Sequence, residues 1–519
     1  MEVNGQVPAS KGESDHPRSR DAPKKLRQLS NNEAYQLALY QLGQYRGTSV
    51  SCRYVIPPQL RGSLELRRTV EAAVAETVLQ HPVLQVAIKD AHSAKATWIE
   101  LDSLDMKQHI TWTSLDLSQL EGSVQEIITE QIDATYPELD KRPGWRLVIM
   151  HQEQLDFLEI LFTWNHPHAD GMSGKIFQAD LSRNLNSVDR SRMNELLLPD
   201  GTLKLPSSQP QFPPRVEDLA KLPITPTYTV KSIWKEYGPA MLNKDPNQAH
   251  WAPIRTTPYK TNIRVFSFNS DALSKILAAC RQKQTTLTGL LHGLALVSLA
   301  LRLGADEAPG FHTKTAIDLR RFLPSGPEKY PWFQPERTMG NYVTVIGHLF
   351  PANSVTQVRS ERLAGASNEP LSANTLGHIW TAAAQAREEI LHKLEDGLKN
   401  DIVGLMRFVG NWQTQMSDTA HKPREYAVFV TNLGSIGEGV PPPDTAPESS
   451  GSSGGWWVVN RAQFSLSAEV ASAALMISIM SAHGGQLCFA VTWQESVIST
   501  TLGEGFTADI ERWLGEIAI

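Results

Sequence analysis

The chain has 519 residues, 41% of them apolar and 20% charged, with a net charge of −6. That length suits two or three domains with sizeable cores, and the slight acidity argues against a nucleic-acid binder, which carries a basic stripe. Three scattered cysteines, Cys52, Cys280 and Cys488, form no CxxC, which excludes a disulfide scaffold or a cysteine-rich zinc site and points to reduced core residues.

Residues 1–28 are polar, lack the apolar stretch of a secretory signal and read as a disordered tail. No run reaches the ~18 apolar residues of a membrane span. Leu287 to Leu301 comes closest, but it holds Thr288, His292 and Ser298 and reads as a buried helix. A cytoplasmic location is expected, with peripheral membrane contact left open.

From residue 29 the pattern alternates. Strands are expected at 49–56, 83–88, 97–101, 108–113, 145–150 and 157–164, and helices at 62–80, 119–134 and 171–185. The segment 189–260 is rich in proline and reads as a crossover linker with one short helix near 229–242. The second half predicts strands at 262–268, 311–318, 341–350, 426–431 and 456–466. A hairpin should pair 470–480 with 487–493, and helices fit 270–281, 286–303, 375–398 and 495–516. Residues 436–455 are low in complexity and read as a mobile surface loop. The expected domains are therefore a tail at 1–28, an N-terminal lobe at 29–188, a linker at 189–260 and a C-terminal lobe at 261–519.

The segment TWNHPHADGMSG, residues 163–174, carries the chemistry. His166, Asp170 and Gly171 form H-x-x-x-D-G between a strand and a helix. A loop histidine has the right pKa, ~6.5 when unperturbed, to take a hydroxyl proton. A carboxylate four residues on can pair with an arginine, and a glycine permits an unusual φ or a close approach. A satisfied turn histidine is the competing reading at even weight, and His168 is the rival for the cleft, since side chains two apart in an extended loop point oppositely. The same string recurs at His392, Asp396 and Gly397, inside a charged helical pattern that reads as a solvated helix face. In IDLRRF, Arg320 and Arg321 are either an ordinary surface charge cluster, or one of them pairs with Asp170 and pins the loop.

Other matches fail on context. Gly451-Ser452-Ser453-Gly454-Gly455 satisfies G-x-S-x-G, but in a low-complexity loop and not at a strand-to-helix elbow. Walker A, G-x-G-x-x-G after a strand, and H-E-x-x-H are absent, so no metal is expected. The pair Trp456-Trp457 reads as core.

HPHADG at 166–171, preceded by RPGWRLVIM and FLEILFTWN, resembles the active-site region of the CoA-dependent acyltransferase superfamily. Further stretches at 27–47, 250–268, 285–301, 317–324 and 429–437 extend the resemblance over nearly the whole chain, and it is nearest to fungal alcohol acetyltransferases of specialised metabolism. The resemblance implies an α/β fold of two chloramphenicol acetyltransferase-like lobes with mixed sheets and a channel between them. It implies His166 as general base, Asp170 as a structural support turned toward Arg320, acyl-CoA (acetyl-CoA first) as co-substrate with no bound cofactor, a small-molecule alcohol as acceptor, and a sufficient monomer.

The chain also departs from the superfamily. Asn165 replaces the first histidine of condensation domains, and the DFGWG motif of plant enzymes is absent, with NRAQFSLS at 460–467 in its place. Ser465, Ser467 and Asn432 are therefore only weak candidates for oxyanion or substrate contact. The alternatives are a condensation-like enzyme using a carrier-protein thioester or forming an amide, a non-catalytic binding protein of the same fold, and a thioester hydrolase.

Overall fold

In the computed structural model, the structure describes residues 23–187, 198–206, 211–238, 245–361, 371–437 and 455–519. Two mixed sheets organise them. The first has five strands in the order Val458–Leu466, Thr48–Val55, Phe157–Trp164, Trp145–Met150, Ile110–Thr113. The second has six, in the order Thr261–Phe268, Leu487–Gln494, Ala473–Ala482, Tyr426–Ile436, Phe311–Asp318, Val343–Phe350. Each sheet is covered by helices, giving a two-lobed mixed α/β architecture.

The strand Phe157–Trp164 shows why the motif segment is rigid. Seven of its eight residues are buried, and it pairs antiparallel with both Thr48–Val55 and Trp145–Met150. Its one acidic residue, Glu159, is buried but satisfied by Arg53 Nε at 2.9 Å and Ser51 Oγ at 2.9 Å, as a buried charge requires. The helix Gly171–Ser187 packs Ile176, Phe177 and Leu181 onto the same core. In the second lobe the helix Leu287–Arg302 is buried nearly all round, as its continuous apolar sequence demands.

Chain order and lobe do not coincide. The strand Val458–Leu466 leaves the second half and pairs antiparallel with Thr48–Val55 of the first. The crossover 189–260 is also more than a linker. Its strand Thr202–Lys204 pairs with Ser103–Asp105, and among the described residues it holds the short helix Val216–Leu219 and the helix Pro226–Tyr237, the latter started by Thr225 accepting from Tyr228 N.

The expected tail is too long. Lys25–Gln28 forms a strand against Thr97–Glu100, since Arg27 is fixed by Glu33 at 2.7 and 2.8 Å. Glu33 also closes a capping box with Ser30 at the start of the helix Asn31–Gln41. Residues 1–22 lie outside the described residues, as do 438–454, which take in most of the low-complexity loop and all but the last glycine of its G-x-S-x-G string.

The last helix starts at Thr500, not at 495, because Ser499 caps it. Trp457 is core, but Trp456 is exposed. The three cysteines are unpaired and buried. Among the described residues no single helix is long and apolar enough to cross a membrane, and no cluster of His, Cys, Asp or Glu could hold a metal.

Candidate active site

The loop 165–170 is a tight turn and not the extended run the sequence suggested, with His168 N donating to Asn165 O at 3.0 Å. Trp164 Nε1 donates to Ala169 O at 2.7 Å and ties the end of the strand to the loop. Gly174 makes this possible: a Cβ there would stand 2.3 Å from Trp164 Cη2. Gly171 likewise serves a close approach, since its added Cβ would meet Leu433 Cδ2 and Phe464 Cζ at 3.0 Å.

Asp170 faces inward and uses both oxygens. Oδ1 accepts from Ser173 N and Ser173 Oγ, each at 2.8 Å, so the residue caps the helix Gly171–Ser187. Oδ2 accepts from Arg320 Nη1 at 2.7 Å and from Tyr342 N at 2.8 Å, while Arg320 Nη2 lies 3.1 Å from Oδ1. Burial alone would raise this carboxyl. The Arg320 guanidinium, then the Tyr342 and Ser173 amides, outweigh burial and hold it below its ordinary range. Arg320 also reaches Asp318 at 3.0 Å and the Thr338 carbonyl at 3.1 Å.

The two histidines separate cleanly. His168 is fully buried, its Nε2 accepts from Gly144 N at 3.1 Å, and its ring meets Trp98 edge-on at 4.8 Å. Burial pulls it down to about 3, so it stays neutral. His166 is the one side chain of 165–170 that keeps partial exposure. Burial lowers its pKa, against opposing pulls from Asp170, Glu469 and a bond to its own main chain.

Asn341 Nδ2 reaches both the His166 oxygen at 2.9 Å and the ring Nδ1 at 3.3 Å. Tyr45 flanks the ring at 5.6 Å between centroids.

Sequence reasoning missed the segment 340–342. Gly340 O accepts from Asp170 N at 3.1 Å, Asn341 donates to the His166 carbonyl, and Tyr342 N donates to Asp170. MGNYV carries no recognisable motif, so nothing in the string marked it. Ser173 was legible in principle as the third residue after an aspartate cap.

The weaker candidates stand elsewhere. Ser467 is buried, and its Oγ accepts from Gly47 N at 3.1 Å and lies 2.8 Å from the Tyr259 hydroxyl. Ser465 is buried and accepts from Gln463 at 3.1 Å. Asn432 is exposed and donates to Thr288 Oγ1 at 3.2 Å. His392 and Asp396 lie exposed on the helix Ala373–Asp396.

Residues 116–361 match the family model of alcohol acetyltransferases, a span that holds both His166–Gly171 and Arg320. The chain is 25% identical to "Probable alcohol acetyltransferase FCK4" of Fusarium pseudograminearum, over 95% of each chain. It is 23% identical to "Probable alcohol acetyltransferase crmB" of Aspergillus fumigatus, over 90% of this chain and 94% of that one.

Among solved structures, the trichothecene 15-O-acetyltransferase TRI3 of Fusarium sporotrichioides superposes with a TM-score of 0.69 at 14% identity, over 95% of this chain and 94% of that one. The condensation domain of the Monacolin K polyketide synthase MokA gives 0.54 at 10% identity, over 96% and 98%. These two establish the shared fold. The resemblance drawn from the motif and its flanking stretches is borne out.

Proposed function

We propose that this chain, an acyltransferase related to the fungal alcohol acetyltransferases, moves an acyl group, acetyl in the first instance, from acyl-CoA to the hydroxyl of a small-molecule alcohol. His166 is the general base. The observation that carries this is the partly exposed His166 ring in a loop fixed from both halves of the chain.

The neutral His166 imidazole takes the hydroxyl proton as the alcohol oxygen attacks the thioester carbonyl. The tetrahedral oxyanion collapses, the C–S bond breaks, and the imidazolium returns the proton to the CoA sulfur. Atoms and charge balance without a covalent enzyme intermediate. Asp170 and Arg320 act by holding the loop, and placing both substrates beside one base supplies the proximity effect. Asn432 is the one of the three weak candidates whose side chain reaches solvent, and so the one able to meet a substrate. The unpaired buried cysteines agree with a reducing, cytoplasmic compartment.

The test is release of CoA thiol from acetyl-CoA in the presence of a panel of alcohols, followed by mass spectrometry. Release that depends on the alcohol, with a product heavier by one acetyl group, supports the reading. Acylation that proceeds only from a carrier-protein thioester would replace the donor.

A further inference from the structure

The Asp170–Arg320 pair fixes the motif loop, but a separate contact reaches the His166 residue itself. Asn341 is buried in the second half and donates from Nδ2 to the His166 carbonyl at 2.9 Å. The direction of its amide is decided elsewhere. Asn32, also buried, sits one residue inside the helix Asn31–Gln41, and its Nδ2 donates to Asn341 Oδ1 at 2.9 Å and to Val343 O at 2.9 Å. An amide nitrogen only donates, so the Asn341 oxygen must face Asn32 and its NH2 group must face His166.

Two consequences follow at the ring. Anchoring the His166 carbonyl fixes the main chain from which the imidazole projects. The same NH2 group lies 3.3 Å from Nδ1 and presents the positive end of its dipole to the ring, which disfavours an added positive charge. The titratable groups that face the ring push the other way or are neutral. Asp170 is bonded to Arg320, Glu469 has Lys314 at 3.8 Å, and the Tyr45 phenol is held neutral by burial.

We propose that Asn341 is a positioning residue for His166: it anchors the carbonyl that sets the ring and holds the ring neutral against two carboxylates, with Asn32 choosing which end of the amide faces it. The inference rests on the reading of His166 as the base.

The experiment pairs 15N-histidine NMR titration with the pH profile of kcat/KM for the parent, Asn341→Asp and Asn32→Leu. The signal absent in His166→Gln identifies the residue. The parent ring is expected to titrate with a midpoint below ~6.5. Asn341→Asp should raise that midpoint by about one unit or more, because a carboxylate replaces a donor beside the ring. Asn32→Leu frees the Asn341 amide to turn over, and should shift the midpoint the same way by less. The acid limb of kcat/KM should move by matching amounts, with KM unchanged within about twofold.

Midpoints coinciding with the parent in both variants overturn the proposal. If Asn341→Asp does not fold, Asn32→Leu decides alone, since it alters no group that touches His166. A parent that transfers no acyl group overturns the base reading instead, and the NMR comparison still decides whether Asn341 governs the ring.

Discussion

Asp170 and Arg320 lie 150 residues apart in sequence and meet with Nη1 2.7 Å from Oδ2, both buried. The same carboxylate caps the helix Gly171–Ser187 and receives Tyr342 N. One side chain thus ties the motif loop to its own helix and to the opposite half of the chain.

Asp170→Asn should therefore act on stability first. Arg320 would lose its fully buried carboxylate and keep only the less buried Asp318, at a cost of up to about 3–5 kcal/mol. Urea denaturation should show the loss as a lower midpoint. The Asp170 pKa is depressed, so its contribution is present above the ordinary carboxylate range and fades as pH falls through the depressed value. The gap between parent and variant should narrow on acidification. A midpoint equal to the parent's at neutral pH would refute the structural role.

The neighbouring histidine offers a control. His168→Leu removes the acceptor for Gly144 N, at about 1–3 kcal/mol for an unpaired buried donor. The melting temperature should drop while kcat per folded molecule stays within a few-fold of the parent. A large kcat loss at unchanged stability would move the catalytic role to His168.

The loop can be disturbed without touching its motif. Gly174→Ala would push a methyl into Trp164, whose indole holds Ala169 O at 2.7 Å. Overpacking should cost about 1–3 kcal/mol and lower kcat as the loop shifts. An alanine variant with the parent's melting temperature would show that the Trp164 packing is looser than the structure has it.

The rate should report a neutral base over a wide pH range. Burial lowers the His166 pKa more than Asp170 and Glu469 raise it. A base works when unprotonated, so a lowered pKa extends activity toward acid. The acid limb of kcat/KM should have its midpoint below the ~6.5 of an ordinary histidine. A limb at or above that value would contradict the environment described for the ring.

Much of the fold was legible. Strands such as Trp145–Met150, Phe157–Trp164 and Phe311–Asp318 stand where periodicity put them, because dense apolar runs bounded by polar turns leave few choices. Pairing across the halves was not legible. Nothing local in VVNRAQFSL says that it will join the first sheet and not the second, since strand partners are chosen by tertiary packing.

The site divided the same way. H-x-x-x-D-G named two side chains, whereas Asn32, Asn341 and Tyr342 matter through where the chain brings them, and their local sequence is ordinary. His166 and His168 differ in burial, a property of the whole fold, and that difference is what favours His166 in the proposed role.

The most direct measurement compares acetyl-CoA turnover by the parent and His166→Ala with the same alcohol acceptor and matched folded concentrations. General-base catalysis contributes about 10²–10⁴-fold, so the variant should lose activity on that scale while its thermal unfolding stays close to the parent's. A folded His166→Ala protein that acetylates the alcohol at the parental rate would contradict the account.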